Sequence, residues 1–176
     1  MRTATTSLYL LGAAVALATA LPAAADDLNI PPRKAGQWEV TMSLGKGRPE
    51  MKSQMCLDET TDKEMMAAGL SMSKDMCPTQ KISHDGDNIV IDSVCDFGAM
   101  KSTSHIVISG DMQSDYTVHI TGNIEGGPKG MPGKTDMTQT VHWVGADCAG
   151  MKPGEMMMPG GLKIDATKLM KSMGGG

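Results

Sequence analysis

From Thr79 to Val144 the chain is a succession of short segments in which β-branched and apolar residues alternate with polar ones, most of them closed by glycine or aspartate. A period of two sends successive side chains to opposite faces of a pleated sheet. The connectors Asp85-Gly86-Asp87, Phe97-Gly98 and Gly110 to Ser114 are short enough to join only antiparallel neighbours. Strands are thus predicted over 79–83, 88–95, 101–109, 115–122 and 136–144, with a glycine and proline loop from Glu125 to Lys134 before the last. Upstream, Gly36 to Met42 alternates with Trp38, Val40 and Met42 on one side, Gly45 to Arg48 turns, and Glu50 to Cys56 returns. The pattern predicts a mainly β fold of about seven strands: a single antiparallel meander sheet, strongly curved or an incomplete barrel. Curved meanders of this kind can enclose an apolar pocket.

Between the second and third strands, Thr61 and Glu64 read as a Thr-x-x-Glu capping box, predicting one short α-helix that ends at Gly69. Asp58, Glu59, Asp62 and Glu64 are then helix N-terminal charges that complement the dipole.

The N-terminus carries Arg2, an apolar run from Leu8 to Leu21 too short to span a bilayer comfortably, and Pro22 followed by Ala23-Ala24-Ala25. Residues 1–25 are predicted to be a cleavable signal peptide, 26–150 the β domain, and 151–176 a loosely held Met/Gly-rich tail with a short helix at Asp165 to Met170. That organisation implies a periplasmic or secreted protein with no stable membrane anchor after cleavage. An even number of cysteines in an exported chain implies two disulfides among Cys56, Cys77, Cys95 and Cys148. Of the three pairings, Cys56 with Cys77 and Cys95 with Cys148 are favoured here, the first bracketing the helix and its return. No paired C-x-x-C spacing suggests a zinc or redox site.

Removing Arg2 from 16 basic residues set against 20 acidic ones leaves a net charge of −5. With no basic cluster in the sequence, nucleic acid and anionic lipid are not expected as main partners. Only Trp38, Phe97, Tyr116 and Trp143 remain as aromatics beyond residue 25, so methionine, 18 in the whole chain, takes core volume usually given to larger groups.

Two constellations could bind metal. Strand alternation puts Ile106, Ile108, Tyr116, Val118, Ile120, Val141 and Trp143 on one face and His105, His119 and His142 on the other, with Thr103, Thr117, Thr121, Thr138 and Thr140. In a hairpin centred on Met112, His105 lies across from His119, and His142 joins the row if the last strand pairs in near register. The soft thioethers of Met156, Met157 and Met158, and of other methionine pairs, suit Cu(I). The competing reading is an ordinary solvated sheet face and methionine as core filler. No nucleophile elbow, H-E-x-x-H or P-loop is present, so no enzyme is implied.

The ordered set Arg33-Lys34-x-Gly36-x-Trp38-Glu39-Val40, Cys56-Leu57, Cys77, Ile91-Asp92-Ser93-x-Cys95, Gly130-Met131-Pro132-Gly133 and a closing cysteine resembles the exported bacterial family called domain of unknown function 3617. The resemblance implies an envelope location and four structural cysteines; it carries no activity, cofactor or substrate. The sequence as a whole points to non-enzymatic binding of a small apolar ligand or a partner protein. The alternative is a periplasmic Cu(I) or metal-binding protein using the methionine-rich segments, with copper the cofactor it would need.

Overall fold

The computed structural model describes residues 30–45 and 47–174. The expected signal peptide lies outside them. The strands are β1 (Gly36–Ser43), β2 (Met51–Leu57), β3 (Thr79–Asp85), β4 (Asn88–Asp96), β5 (Lys101–Asp111), β6 (Asp115–Glu125), β7 (Lys134–Gly145), β8 (Glu155–Met157) and β9 (Lys163–Asp165), with helices α1 (Glu59–Met76) and α2 (Ala166–Gly174). All nine strands form one antiparallel sheet in the order β3-β4-β5-β6-β7-β1-β2-β8-β9. The sheet does not close into a barrel, since β3 and β9 end it without pairing to one another.

The predicted alternation holds along the meander. Trp38, Val40, Met55, Leu57, Met112, Tyr116 and Val141 are buried together, with Trp38 and Tyr116 edge to face at 5.9 Å. This core occupies the end of the sheet that carries the β5–β6 turn. Residues 151–174, expected to be loosely held, instead extend the sheet. Met156 pairs with Met55, the amide of Gly154 donates to the Cys56 carbonyl, and Met151 is buried. A free edge on β2 supplied partners for a segment whose own sequence has little to bury.

Helix α1 is not short. Its N-cap is Asp58, which accepts from the Thr61 amide at 2.7 Å while Thr61 Oγ1 accepts from the Asp58 amide at 2.9 Å, so Thr61 is the third helical residue rather than the cap. These contacts hold the Asp58 carboxyl below its ordinary range. Gly69 stands in open space inside the helix, where its cost of about 1 kcal/mol is outweighed by the good helix formers on either side.

The helix must run on because it joins opposite edges of a seven-strand meander. Six inter-strand spacings are about 29 Å, and the Leu57 end of β2 and the Thr79 end of β3 lie at opposite ends of the strands, so the path between them is diagonal and longer than that. Eighteen helical residues supply about 27 Å. Met65 of the helix packs against the core cluster on the covered face.

The same length corrects the disulfides. Cys56 and Cys77 sit before and after the helix, a helix length apart, and do not pair. The bridges are Cys56–Cys148 and Cys77–Cys95. After β7 the chain crosses the end of β1 to reach the outer edge of β2, carrying Cys148 past Cys56. At its other end the helix delivers Cys77 to Cys95, on the helix-covered face of β4. Non-reducing peptide mapping is expected to recover Cys56 linked to Cys148 and Cys77 linked to Cys95. A peptide joining Cys56 to Cys77 would contradict the fold.

The N-terminal segment is held by one buried ion pair. Arg33 donates from Nε to Asp62 Oδ1 at 2.6 Å and from its amide to Oδ2 at 2.9 Å, with side-chain exposures of 10% and 2%. Removing one partner leaves an uncompensated buried charge. Asp62→Asn is expected to lower unfolding free energy by about 3–5 kcal/mol in urea titrations. The double variant Arg33→Met with Asp62→Leu should recover part of that loss, whereas Glu39→Gln, at an exposed pair with Lys52, should change little.

Candidate functional site

Three regions of the molecule carry chemistry: the polar face of the sheet, the helix-covered face, and the buried pair that anchors the N-terminal segment.

The polar face holds all three sequence-predicted histidines, staggered rather than in a row. The β5–β6 turn is centred on Gln113, one residue beyond Met112, because the Asp111 carboxylate accepts from the Gln113 amide and the Ser114 hydroxyl and its carbonyl accepts from the Ser114 amide. That moves the pairing by two residues, so His105 faces Thr121 and His119 faces Val107. A shift of two keeps each side chain on its face. His142 faces Asp115 on β6, four residues from His119 and so about 14 Å along the strand.

Each imidazole has instead a carboxylate partner: His105 Nδ1 with Asp92 Oδ1 at 2.7 Å, His119 Nε2 with Asp136 Oδ1 at 3.0 Å, and His142 Nδ1 with Asp115 Oδ1. A groove of about 480 Å³ crosses this face beside His105, bordered by Lys81, Asp92, Thr103 and Thr121. Among the described residues no three His, Cys, Asp or Glu side chains are grouped to hold a metal ion.

The tail methionines are likewise separated by strand alternation. Met156 lies on the core side opposite Met55, Met157 on the polar side opposite Gln54, and Met158 in the following turn with 37% exposure.

The helix-covered face divides into two halves. Toward the β5–β6 turn it is packed. Across the middle of the sheet, Ile82, Ile91, Ile106, Ile120 and Met137 form an apolar strip of half-buried side chains, with Met42 one row nearer the packed end, and beyond the strip Ser93 and Cys95 are buried again. Met66, Leu70 and Met72 of α1 are half-buried as well. The strip holds no ionised side chain of its own, so it offers dispersion contact and a dry surface.

The buried pair was not legible in the sequence. Asp62 reads there as one of several exposed helix charges, but it is almost fully enclosed and bound to Arg33. Arg33 also reaches Met55 Sδ at 3.6 Å. Burial pushes the Tyr116 phenol above its ordinary range, while the neighbouring Arg33 guanidinium pulls it part of the way back. At the next two residues, the Trp38 indole donates to the Lys34 carbonyl at 2.8 Å and the Trp143 indole to the Ala35 carbonyl at 3.0 Å. Lys34 Nζ sits 3.6 Å from the Trp143 ring centre, a cation–π contact. Gly36, at φ +128°, has no room for a Cβ, which would fall 2.2 Å from the Gly145 carbonyl oxygen. The motif Arg33-Lys34-x-Gly36-x-Trp38 is therefore a clamp on the end of the sheet, a structural rather than a chemical site.

No curated protein and no solved structure matches this chain. The family model described as a protein of unknown function, DUF3617, matches residues 33–148, from the clamp arginine to the last cysteine. The chain belongs to the DUF3617 family.

Proposed function

We propose that this protein is an exported, non-enzymatic binding protein that holds a small apolar ligand between α1 and the half-buried strip of the helix-covered face. The observation that carries the reading is the contrast between the two halves of that face. One half packs Trp38, Tyr116 and Val141 into a closed core. The other leaves six branched or thioether side chains only partly covered beneath a helix whose own apolar residues are partly covered too. A chain with no other use for that surface would be expected to close it, since each such side chain gains about 1.5–3 kcal/mol on full burial.

The strip suits an aliphatic chain better than an aromatic or charged molecule. Isoleucine and methionine present flexible, nonpolar surface without hydrogen-bonding groups, so contact is adaptable and unselective for polar shape. Export is supported by the residue 1–25 pattern together with two disulfides, which persist outside a reducing cytoplasm. Among the described residues no helix is long and apolar enough to cross a membrane.

Protein purified from its native envelope and examined by native mass spectrometry should carry lipid or another aliphatic molecule. Delipidated protein should bind a fluorescent fatty-acid probe saturably. Ile106→Asp, which sets a carboxylate in the middle of the strip, is expected to weaken probe binding at least about tenfold. The reading is wrong if nothing co-purifies and the probe shows no saturable binding.

A further inference from the structure

The sheet ends on two very different edges. Strand β9 is three residues long and passes directly into α2, which leaves little backbone for another strand to pair with. Strand β3 is seven residues long, contains no proline, glycine or bulge, and among the described residues meets no strand on its outer side. Its hairpin with β4 turns in two residues, Gly86 and Asp87, with Gly86 at φ +59°. A turn of that length makes Asp85 and Asn88 a hydrogen-bonded pair. Such pairs alternate along an antiparallel ladder, so Thr79, Lys81, Ser83 and Asp85 direct their peptide groups at β4, while Gln80, Ile82 and His84 direct theirs outward.

That outward row is complementary to a second copy of itself. A two-fold axis through Ile82 pairs the whole strand, setting Ile82 against Ile82 of the second copy, Gln80 against His84, Lys81 against Ser83 and Thr79 against Asp85. Every outward peptide group then faces another. Moving the axis by one residue shortens the pairing, and placing it on Lys81 would set two ammonium groups directly opposite. In the Ile82 register the two lysines are diagonal neighbours standing among four carboxylates, Asp85 and Asp92 of each copy, since Asp92 lies across from Lys81 on β4. Asp92 also holds His105. On the covered face Ile82 is flanked by His84 and by Gln80, whose side chain is tied to Ser73 of α1 at 2.8 Å. The other charges at this edge, Asp87 in the turn and Lys74 and Asp75 near the end of α1, lie beyond the ends of the paired segment.

We propose that β3 is the interface of a homodimer in which two copies of this chain join edge to edge into one continuous antiparallel sheet. Main-chain hydrogen bonds carry the association and the side-chain row fixes its register. The row Ile82, Ile91, Ile106 and Ile120 of one copy runs on into that of the other, because Ile82 is at once the last residue of the row and the centre of the pairing. Half-buried in one copy, Ile82 is covered by its counterpart in the pair. Both helices lie on the same face of the joined sheet. Each ends beside Thr79 of its own copy, so the two helix ends stand at opposite ends of the paired strands and do not collide. The dimer goes beyond the ligand-binding reading, since the strands pair through their backbones whether or not the strip is occupied.

Sedimentation equilibrium of the purified oxidised protein should show a reversible monomer–dimer equilibrium. Amide exchange followed by NMR reads the interface directly. The Gln80, Ile82 and His84 amides should be protected where dimer predominates and lose protection on dilution, while those of Lys81 and Ser83 stay protected throughout. His84→Pro removes an outward donor without touching the β4 ladder and should weaken dimerisation at least about tenfold. Lys81→Glu, which turns the surroundings of the axis wholly acidic, should weaken it likewise. Lys129→Glu, in the loop between β6 and β7, should not. Unchanged circular dichroism would show that the edge variants remain folded. The proposal is overturned if the native protein sediments as a monomer at millimolar concentration, if its dimer survives both edge substitutions, or if protection of the three outward amides does not change with concentration. Fatty-acid probe titration keeps the two readings apart, since His84→Pro should bind the probe as the native protein does.

Discussion

The contact between Arg33 and Asp62 joins three parts of the molecule: the N-terminal segment, the helix and the sheet. Arg33 precedes the first strand, Asp62 lies in the first turn of the helix, and the guanidinium rests beside Met55 and Tyr116 of the sheet. Two ions taken from water at such cost must be matched closely in geometry, and the double contact from Nε and the backbone amide supplies the match. With that pair formed, the segment 33–36 is led across the end of the sheet. Trp38 is then seated in the core, and the start of α1 is fixed over it.

From that anchored corner the architecture follows by length. A helix that begins at the end of β2 and must end at β3 crosses the whole meander. The second disulfide fixes the far end of the helix to β4. Packing is concentrated near the ion pair, where Trp38, Tyr116 and Trp143 gather. It thins across the middle of the sheet, where isoleucine and methionine must fill the space. The division of the covered face into a closed half and an open half is thus a consequence of where a chain with so few aromatics places them.

Much of this was legible in the sequence, and the failures share a cause. Strand positions, face assignments and the open antiparallel sheet follow from a period of two and from turn residues, both local properties. The tail's last helix was legible for the same reason. What failed depended on distance along the chain. The cysteine pairing turned on whether the helix stops at Gly69, and propensity alone cannot say that a helix has a span to bridge. The histidine stagger is the local exception, since it turned on the Asp111 side chain choosing the centre of the turn that follows it. Asp62 was indistinguishable from its exposed neighbours because its partner lies 29 residues upstream. The added strands β8 and β9 exist because β2 offered a free edge, which no property of residues 155–165 announces.

Helix α1 is fastened at both ends, by a salt bridge at one and a covalent bond at the other. A helix so held is a beam and not a door: it cannot swing aside without breaking a buried ion pair or a disulfide. Gly69, midway along the beam, is its one glycine, and a Cβ placed there would meet nothing within 4 Å.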